Sequence, residues 1–411
     1  MPYLDFNATA PLHPAARQAW LEAVDRAWHN PSSLFPEAAV ARQLFEEARE
    51  RLADMIGCDP GRIVFTSGAT EANNALARHV GRTAGPRARA VLSAIEHPCV
   101  AEAFAAALPG RILEADVDGT GAVQPGAVDA AIAAGSVACV SVMAASNETG
   151  VIQPWEDIAA ACRRRGVPFH TDAAQWFGKL PAAALARCDW ITGSGHKFGG
   201  PKGVGFLVAP GEDNANPSAR GFQGDRGGPQ ESGRRAGTEN VAAVAAMVAA
   251  LEAADARVGE AADRGSFRDA AERRLREHLP QAIVIGAAAA RLWNTLAVLL
   301  PGCDTRKIVA RLGRAGVAAS TGSACSSGAG STARSLAAIG GDRLGIDPAA
   351  PVGMVRLSAG WDTTPAEWTI AIDAIVAAVR NPAETPPRVS LNPLPAASGH
   401  EPPRPAPAPR R

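Results

Sequence analysis

Residues 62–80, RIVFTSGATEANNALARHV, decide how this chain is read. The run RIVFTSG is short, apolar and β-branched, the signature of a buried strand, and it ends in small residues. TEANNALARHV then continues as a helix. Outward from this pair the same alternation repeats. RAVLSA (89–94), VACVSVMAA (137–145), VPFHTD (167–172), CDWITGSG (188–195) and GVGFLVA (203–209) read as buried strands, and WEDIAAACRRRG (155–166) as a helix between two of them. Strands alternating with helices predict a parallel sheet covered on both faces.

Upstream, AARQAWLEAVDRAW (15–28) and EAAVARQLFEEARERLADMIG (37–57) read as helices separated by the loop HNPSSLFP. Downstream, residues 210–235 read as loop, and 239–279 as one long helix connecting two units. TLAVLLPG (295–302) and GMVRLSAG (353–360) read as strands, TRKIVARLGRAG (305–316) and PAEWTIAIDAIVAAVR (365–380) as helices of a smaller α/β unit. The stretch after Asn381 is Pro-rich with few apolar anchors, so it is expected to be disordered. The expected division is an N-terminal segment 1–15 joining the small domain, a large domain 16–255, a small domain 256–380 and a tail 381–411.

At 411 residues the chain exceeds what one core usually serves. Lys+Arg and Asp+Glu are equal at 41 each, which argues against nucleic acid or an anionic membrane as a main partner. The opening residues lack a basic and an apolar region, so no secretory signal is expected, and no apolar run suits a bilayer. Seven widely spaced cysteines without a C-x-x-C pair suggest neither a disulfide framework nor a metal site, and a cytoplasmic setting is expected.

Only four lysines occur, at 179, 197, 202 and 307, so a reaction that needs a lysine has few choices. Lys197, in GSGHKFGGPKGVGFL, closes a buried strand, where open α/β sheets place their ligands. It reads as a surface lysine in a turn or as a desolvated amine able to form a Schiff base. Asp172 ends the strand VPFHTD and reads as a helix cap or as a buried acid able to keep a pyridine nitrogen protonated. Gly68, Ala69 and Thr70 open a helix, which is an anion site or plain capping by Ser67 or Thr70. His97 alone is ambiguous. Arg356 in an apolar strand is more telling, because burying it without an anion is costly. Cys139 and Cys188 fit the pattern of buried small hydrophobes. Cys325, among Gly, Ser and Ala, does not, and an exposed thiol on a loop can act as a nucleophile.

Taken in order, FTSGATEANN, EHPCV, SNETGVIQP, HTDAAQWFGKLP, SGHKFGGPKGVG, GRRAGTENV and STGSACSSG resemble the cysteine desulfurases of the NifS/IscS type, within the class V aminotransferases. The resemblance runs from Tyr3 to about Thr364. It implies the fold type I of pyridoxal-phosphate-dependent transferases: a large domain with a mainly parallel seven-stranded sheet and a smaller α/β C-terminal domain. It implies pyridoxal 5'-phosphate as cofactor, a homodimer, L-cysteine as substrate, L-alanine as product and a sulfur-acceptor protein or scaffold as partner.

Residue by residue, the resemblance implies that Lys197 anchors the cofactor, Asp172 pairs with its ring nitrogen, His97 stacks on the ring and Gln175 bonds the phenolic oxygen. Ala69, Thr70, Ser194 and His196 would hold the phosphate, with Thr238 supplied by the second subunit. Asn147 and Arg356 would hold the substrate carboxylate, and Cys325 would carry the sulfur as a persulfide. The chain departs from the family at Phe35, where relatives carry histidine, at Trp361, where they carry a basic residue, and after Cys325, where acidic and proline residues are missing. Other readings are a selenocysteine lyase, an ordinary class V aminotransferase and a non-catalytic sulfur-relay protein.

Overall fold

The computed structural model describes residues 1–211, 221–322, 334–346 and 352–381. Seven strands, β1 (Ile63–Thr66), β2 (Arg89–Ser93), β3 (Ile112–Ala115), β4 (Val137–Ser141), β5 (Phe169–Asp172), β6 (Trp190–Ser194) and β7 (Gly205–Val208), form one sheet in the order β1-β7-β6-β5-β4-β2-β3. All neighbours are parallel except β7, which runs antiparallel to both β1 and β6. The sheet is therefore mainly parallel, as the alternation of apolar runs and helices predicts.

Both faces are covered, and the strands show it residue by residue. Ile63 and Phe65 of β1 join one apolar cluster while Val64 joins another, and in β2 Val91 is split in the same way from Ala90 and Leu92. Side chains alternate across a strand, so an uninterrupted apolar run is what a sheet buried on both sides requires. Helix α1 (Pro14–Arg26) and helix α2 (Pro36–Ile56) lie on the first face, and helix α3 (Ala69–Thr83) lies on the second with Ala72, Leu76 and Val80 inward. Helices α4 (Pro98–Ala107) and α5 (Pro125–Ala133), like strand β3, carry patterns too short or too uniformly small to stand out in the sequence. Helix α6 (Trp155–Arg164) falls where expected.

The long helix expected over 239–279 is two helices, α7 (Val241–Asp255) and α8 (Ala261–His278). Between them the chain turns at Arg257, which has ψ −2° and bonds both Glu260 (3.1 Å) and Asp362 (2.7 Å). Ion pairs to two directions fix the bend, and Gly259 offers little helical preference against it.

A second sheet, in the order β10-β9-β8, is antiparallel and built from β8 (Ile283–Val284), β9 (Thr295–Pro301) and β10 (Val352–Ser358). Helices α9 (Thr305–Arg314) and α11 (Pro365–Arg380) pack with α8 around a separate apolar cluster; a short helix α10 (Arg334–Ile339) precedes β10. The N-terminal strap reaches this unit. Leu4 is buried in its cluster, and Tyr3 and Asp5 bridge to Ala318 and Ser358. From there the strap runs back over the large sheet, where Ala10 N–H donates to His196 O (2.8 Å). The expected tail beyond Asn381 and Cys325 itself lie outside the described residues.

Candidate active site

The carboxyl ends of β5 and β6 meet the N-terminus of α3 and the strap in a cavity of 470 Å³. Of the residues singled out from the sequence, Ala69, Thr70, His97, Asn147, Asp172, Gln175, Ser194, His196, Lys197 and Arg356 line this one space. Thr238 does not; it is exposed. Ligands in open α/β sheets sit beyond the carboxyl strand ends, and a volume of roughly 300–1,000 Å³ suits a small ligand.

Lys197 leaves β6 on a single tight turn, Gly195–Lys197. A side chain at Gly200 would meet Gly195 O at 2.9 Å, so the glycines around the lysine are spacers that let two backbones touch. Lys197 Nζ donates to Asn7 O (2.7 Å) and Ala8 O (2.9 Å) on the strap.

Asp172 closes β5. Its Oδ1 accepts Ala174 N–H and its Oδ2 accepts Asn73 Nδ2–H, both at 2.9 Å. One oxygen holds the turn, and the other is bonded by a buried amide. His97 is the N-cap of α4, its Nδ1 accepting Cys99 N–H at 3.2 Å. That bond places the ring proton on Nε2, and burial lowers the imidazole's proton affinity, with the Asp172 charge opposing it.

Gln175 Nε2 donates to Asn7 O (2.9 Å), and its Oε1 accepts from Lys179 Nζ (3.0 Å). Lys179 is the residue that pattern reading passed over. It is fully enclosed, and burial, helped by the charges of Lys197 and Arg356, pushes it down to about 7. Its place in HTDAAQWFGKLP, one helical turn beyond Gln175, was the available signal. Cys99, Asn7 and Glu71 also line the cavity without having been singled out.

At the α3 end of the cavity, Gly68 has φ 151° and lies against β7 so closely that a side chain at Gly205 would meet Gly68 Cα at 2.6 Å. The first residues of α3, Ala69, Thr70 and Glu71, line the cavity at this turn, where helix N–H groups lack intrahelical partners. Glu71 would oppose an anion there, but it is turned to Ser67 N–H (2.7 Å) and Arg235 (2.9 Å). His196 bonds Thr9 Oγ1 (3.2 Å); burial and then the neighbouring Lys197 and Lys202 push it down to about 4, so it stands neutral. Arg356 is 1% exposed, pairs with Asp5 (2.6 Å) and donates to Asn147 O (2.8 Å) and Gly322 O (2.6 Å). Its Nε–H is buried with no partner among the described residues.

Of the two departures within the described residues, Phe35 is half exposed at the loop between α1 and α2. Trp361 packs on Trp293 with ring centroids 4.2 Å apart and donates to Gly178 O (2.9 Å), so it fills space beside the strap rather than lining the cavity. Cys139 and Cys188 are buried small hydrophobes, as their neighbours imply.

A mainly parallel seven-stranded sheet with a lysine and a carboxylate at neighbouring carboxyl strand ends has the fold of a type I α/β transferase. Residues 2–367 match the family model described as aminotransferase class V. A cysteine desulfurase of Klebsiella pneumoniae is 36% identical over 331 residues, 79% of this chain and 81% of its own. A solved NifS-like protein superposes with a TM-score of 0.80 at 28% identity, over 92% of this chain and 99% of its own. Another structure, described as SspA in complex with cysteine, gives 0.70 at 26% identity over 87% and 98%. The chain belongs to the class V aminotransferase family, and within it to the cysteine desulfurases of the NifS/IscS type.

Proposed function

We propose that this protein converts L-cysteine to L-alanine with pyridoxal phosphate, holding the released sulfur as a persulfide on Cys325 and passing it to an acceptor protein or cluster scaffold. The observation that carries the reading is the meeting of Lys197, Asp172, His97 and Arg356 around one cavity in a chain of this family.

The donor set suits the cofactor. Lys197 would hold its aldehyde carbon, Asp172 its ring nitrogen, His97 one ring face and Gln175 the phenolic oxygen. The α3 N-terminus, with Thr70, Ser194 and neutral His196, would hold the phosphate. Bound there, pyridoxal phosphate supplies an electron-withdrawing ring that stabilises negative charge next to the substrate's amino group.

The chain's own groups do the rest. Arg356, whose Nε–H has no partner among the described residues, would hold the substrate carboxylate together with Asn147. Lys197 Nζ moves the proton of the α-carbon. The Cys325 thiolate forms an S–S bond to the substrate sulfur as the C–S bond breaks, and the electrons left on carbon take up a proton to give alanine.

A second copy of the chain would supply Thr238, which is exposed and away from its own cavity. An apolar face supports that copy: Leu34 is 97% and Trp28 72% exposed. Because the carrier cysteine must be a free thiol before each turnover, we place the reaction in the reducing cytosol.

Replacing Cys325 by Ser tests the reading. The variant should bind cofactor and cysteine normally and form no alanine; undiminished turnover would refute the role given to the thiol.

A further inference from the structure

Asn73 lies in α3, fully buried, with a partner for each amide proton and for the carbonyl oxygen. Oδ1 accepts the Thr192 hydroxyl at 3.0 Å. Nδ2 donates one proton to Asp172 Oδ2 at 2.9 Å and the other to Cys99 Sγ at 3.2 Å. Thr192 in turn lies 3.4 Å from His170 Nε2, and His170 Nδ1 lies 2.8 Å from Ser141 Oγ.

The protons of this chain can be assigned. His170 is enclosed, and burial pushes it down to about 4, so it is neutral. Thr192 spends its proton on Asn73 and must accept from His170, which leaves Nδ1 to accept from Ser141. Donation therefore runs one way, from Ser141 through His170, Thr192 and Asn73 to the Asp172 carboxylate. The second branch runs from Asn73 to Cys99. Burial pushes that thiol up to about 12, so it keeps its proton, and Sγ stands 3.0 Å from His97 Nδ1. The amide cannot be turned over, because its carbonyl oxygen would then face the Asp172 carboxylate.

We propose that Asn73 is a positioning residue that fixes Asp172 and, through the Cys99 thiol, His97 in one relation to each other. The inference rests on the reading that these two groups flank the cofactor ring. No other side chain of this size offers two donors and an acceptor; aspartate would set a second carboxylate against Asp172, and leucine would offer nothing.

The test uses the purified holoenzyme and reads the visible circular dichroism of bound cofactor, which reports ring orientation, alongside kcat and KM for L-cysteine. In Asn73→Leu, the dichroism per bound cofactor should change, and kcat should fall roughly tenfold to a hundredfold, as expected for losing a hydrogen bond to a charged group, with KM nearly unchanged. Thr192→Val, which keeps Asn73 but removes the donor that orients it, should move both readings in the same direction by less. Unchanged dichroism and kcat per bound cofactor in Asn73→Leu, even with a lowered melting temperature, would overturn the proposal. Should that variant not fold, a wild-type spectrum in Thr192→Val overturns it. A wild-type protein that takes up no pyridoxal phosphate overturns the underlying reading of the site instead.

Discussion

Arg356 and Asp5, from opposite ends of the chain, form an ion pair with Nη2 2.6 Å from Oδ1. The guanidinium side chain is only 2% exposed and the carboxylate 23%, so Asp5 is the anion that makes the buried charge tolerable. It stands beside the position where a substrate carboxylate is expected. Replacing Asp5 by Asn should therefore act in opposite senses. Unfolding free energy should drop by about 1–3 kcal/mol, while KM for L-cysteine should fall, because the incoming carboxylate no longer shares its cation. Denaturant unfolding and steady-state kinetics on the same preparation check both.

Arg356→Lys should be far from conservative. An ammonium cannot serve the Asp5, Asn147 and Gly322 oxygens and still present a second edge to substrate. KM for L-cysteine should rise roughly tenfold to a hundredfold, as measured by initial rates across a cysteine series.

Glu96 gives a pH prediction. It is fully buried, and burial, against hydrogen bonds from Ser93 Oγ (2.6 Å) and Met143 N–H (2.7 Å), pushes it up to about 8. The folded protein therefore keeps a proton that the unfolded chain releases near pH 4.5. Stability from this group is complete below that pH and is lost as pH rises towards 8. Glu96→Gln mimics the protonated acid and should remove that decline. Urea unfolding at pH 5 and pH 8 should give a smaller difference for the variant than for the wild type.

Lys197→Ala should fold normally, since the bonds of the amine to the strap carbonyls Asn7 O and Ala8 O join chain segments already tied together by Ala10 N–H to His196 O. Its melting temperature should stay close to that of the wild type, while the visible absorbance of covalently held cofactor and all alanine formation should vanish.

Much of this arrangement was legible in the sequence for definite reasons. Apolar runs with no polar face announce strands buried on both sides, and Lys197 stands out because it is one of four lysines and follows a buried strand. Arg356 stands out because its strand is otherwise apolar. Asp5 and Asn7 were not legible: a strap bridged to Ala318 and Ser358 brings Asp5 to Arg356 and Asn7 to the cavity, a placement no local pattern encodes. Asn73 sits in FTSGATEANN like any helical asparagine, and only the folded chain brings Thr192 and Cys99 to its amide. The break between α7 and α8 was hidden in the same way, because the ion pair that turns Arg257 comes from Asp362.

The most direct measurement is the yield of alanine and of sulfide from L-cysteine in the presence of a thiol reductant. The account predicts that both form in equal amounts and only with pyridoxal phosphate bound. Formation of a keto acid with an amino acceptor, without alanine or sulfide, would contradict it.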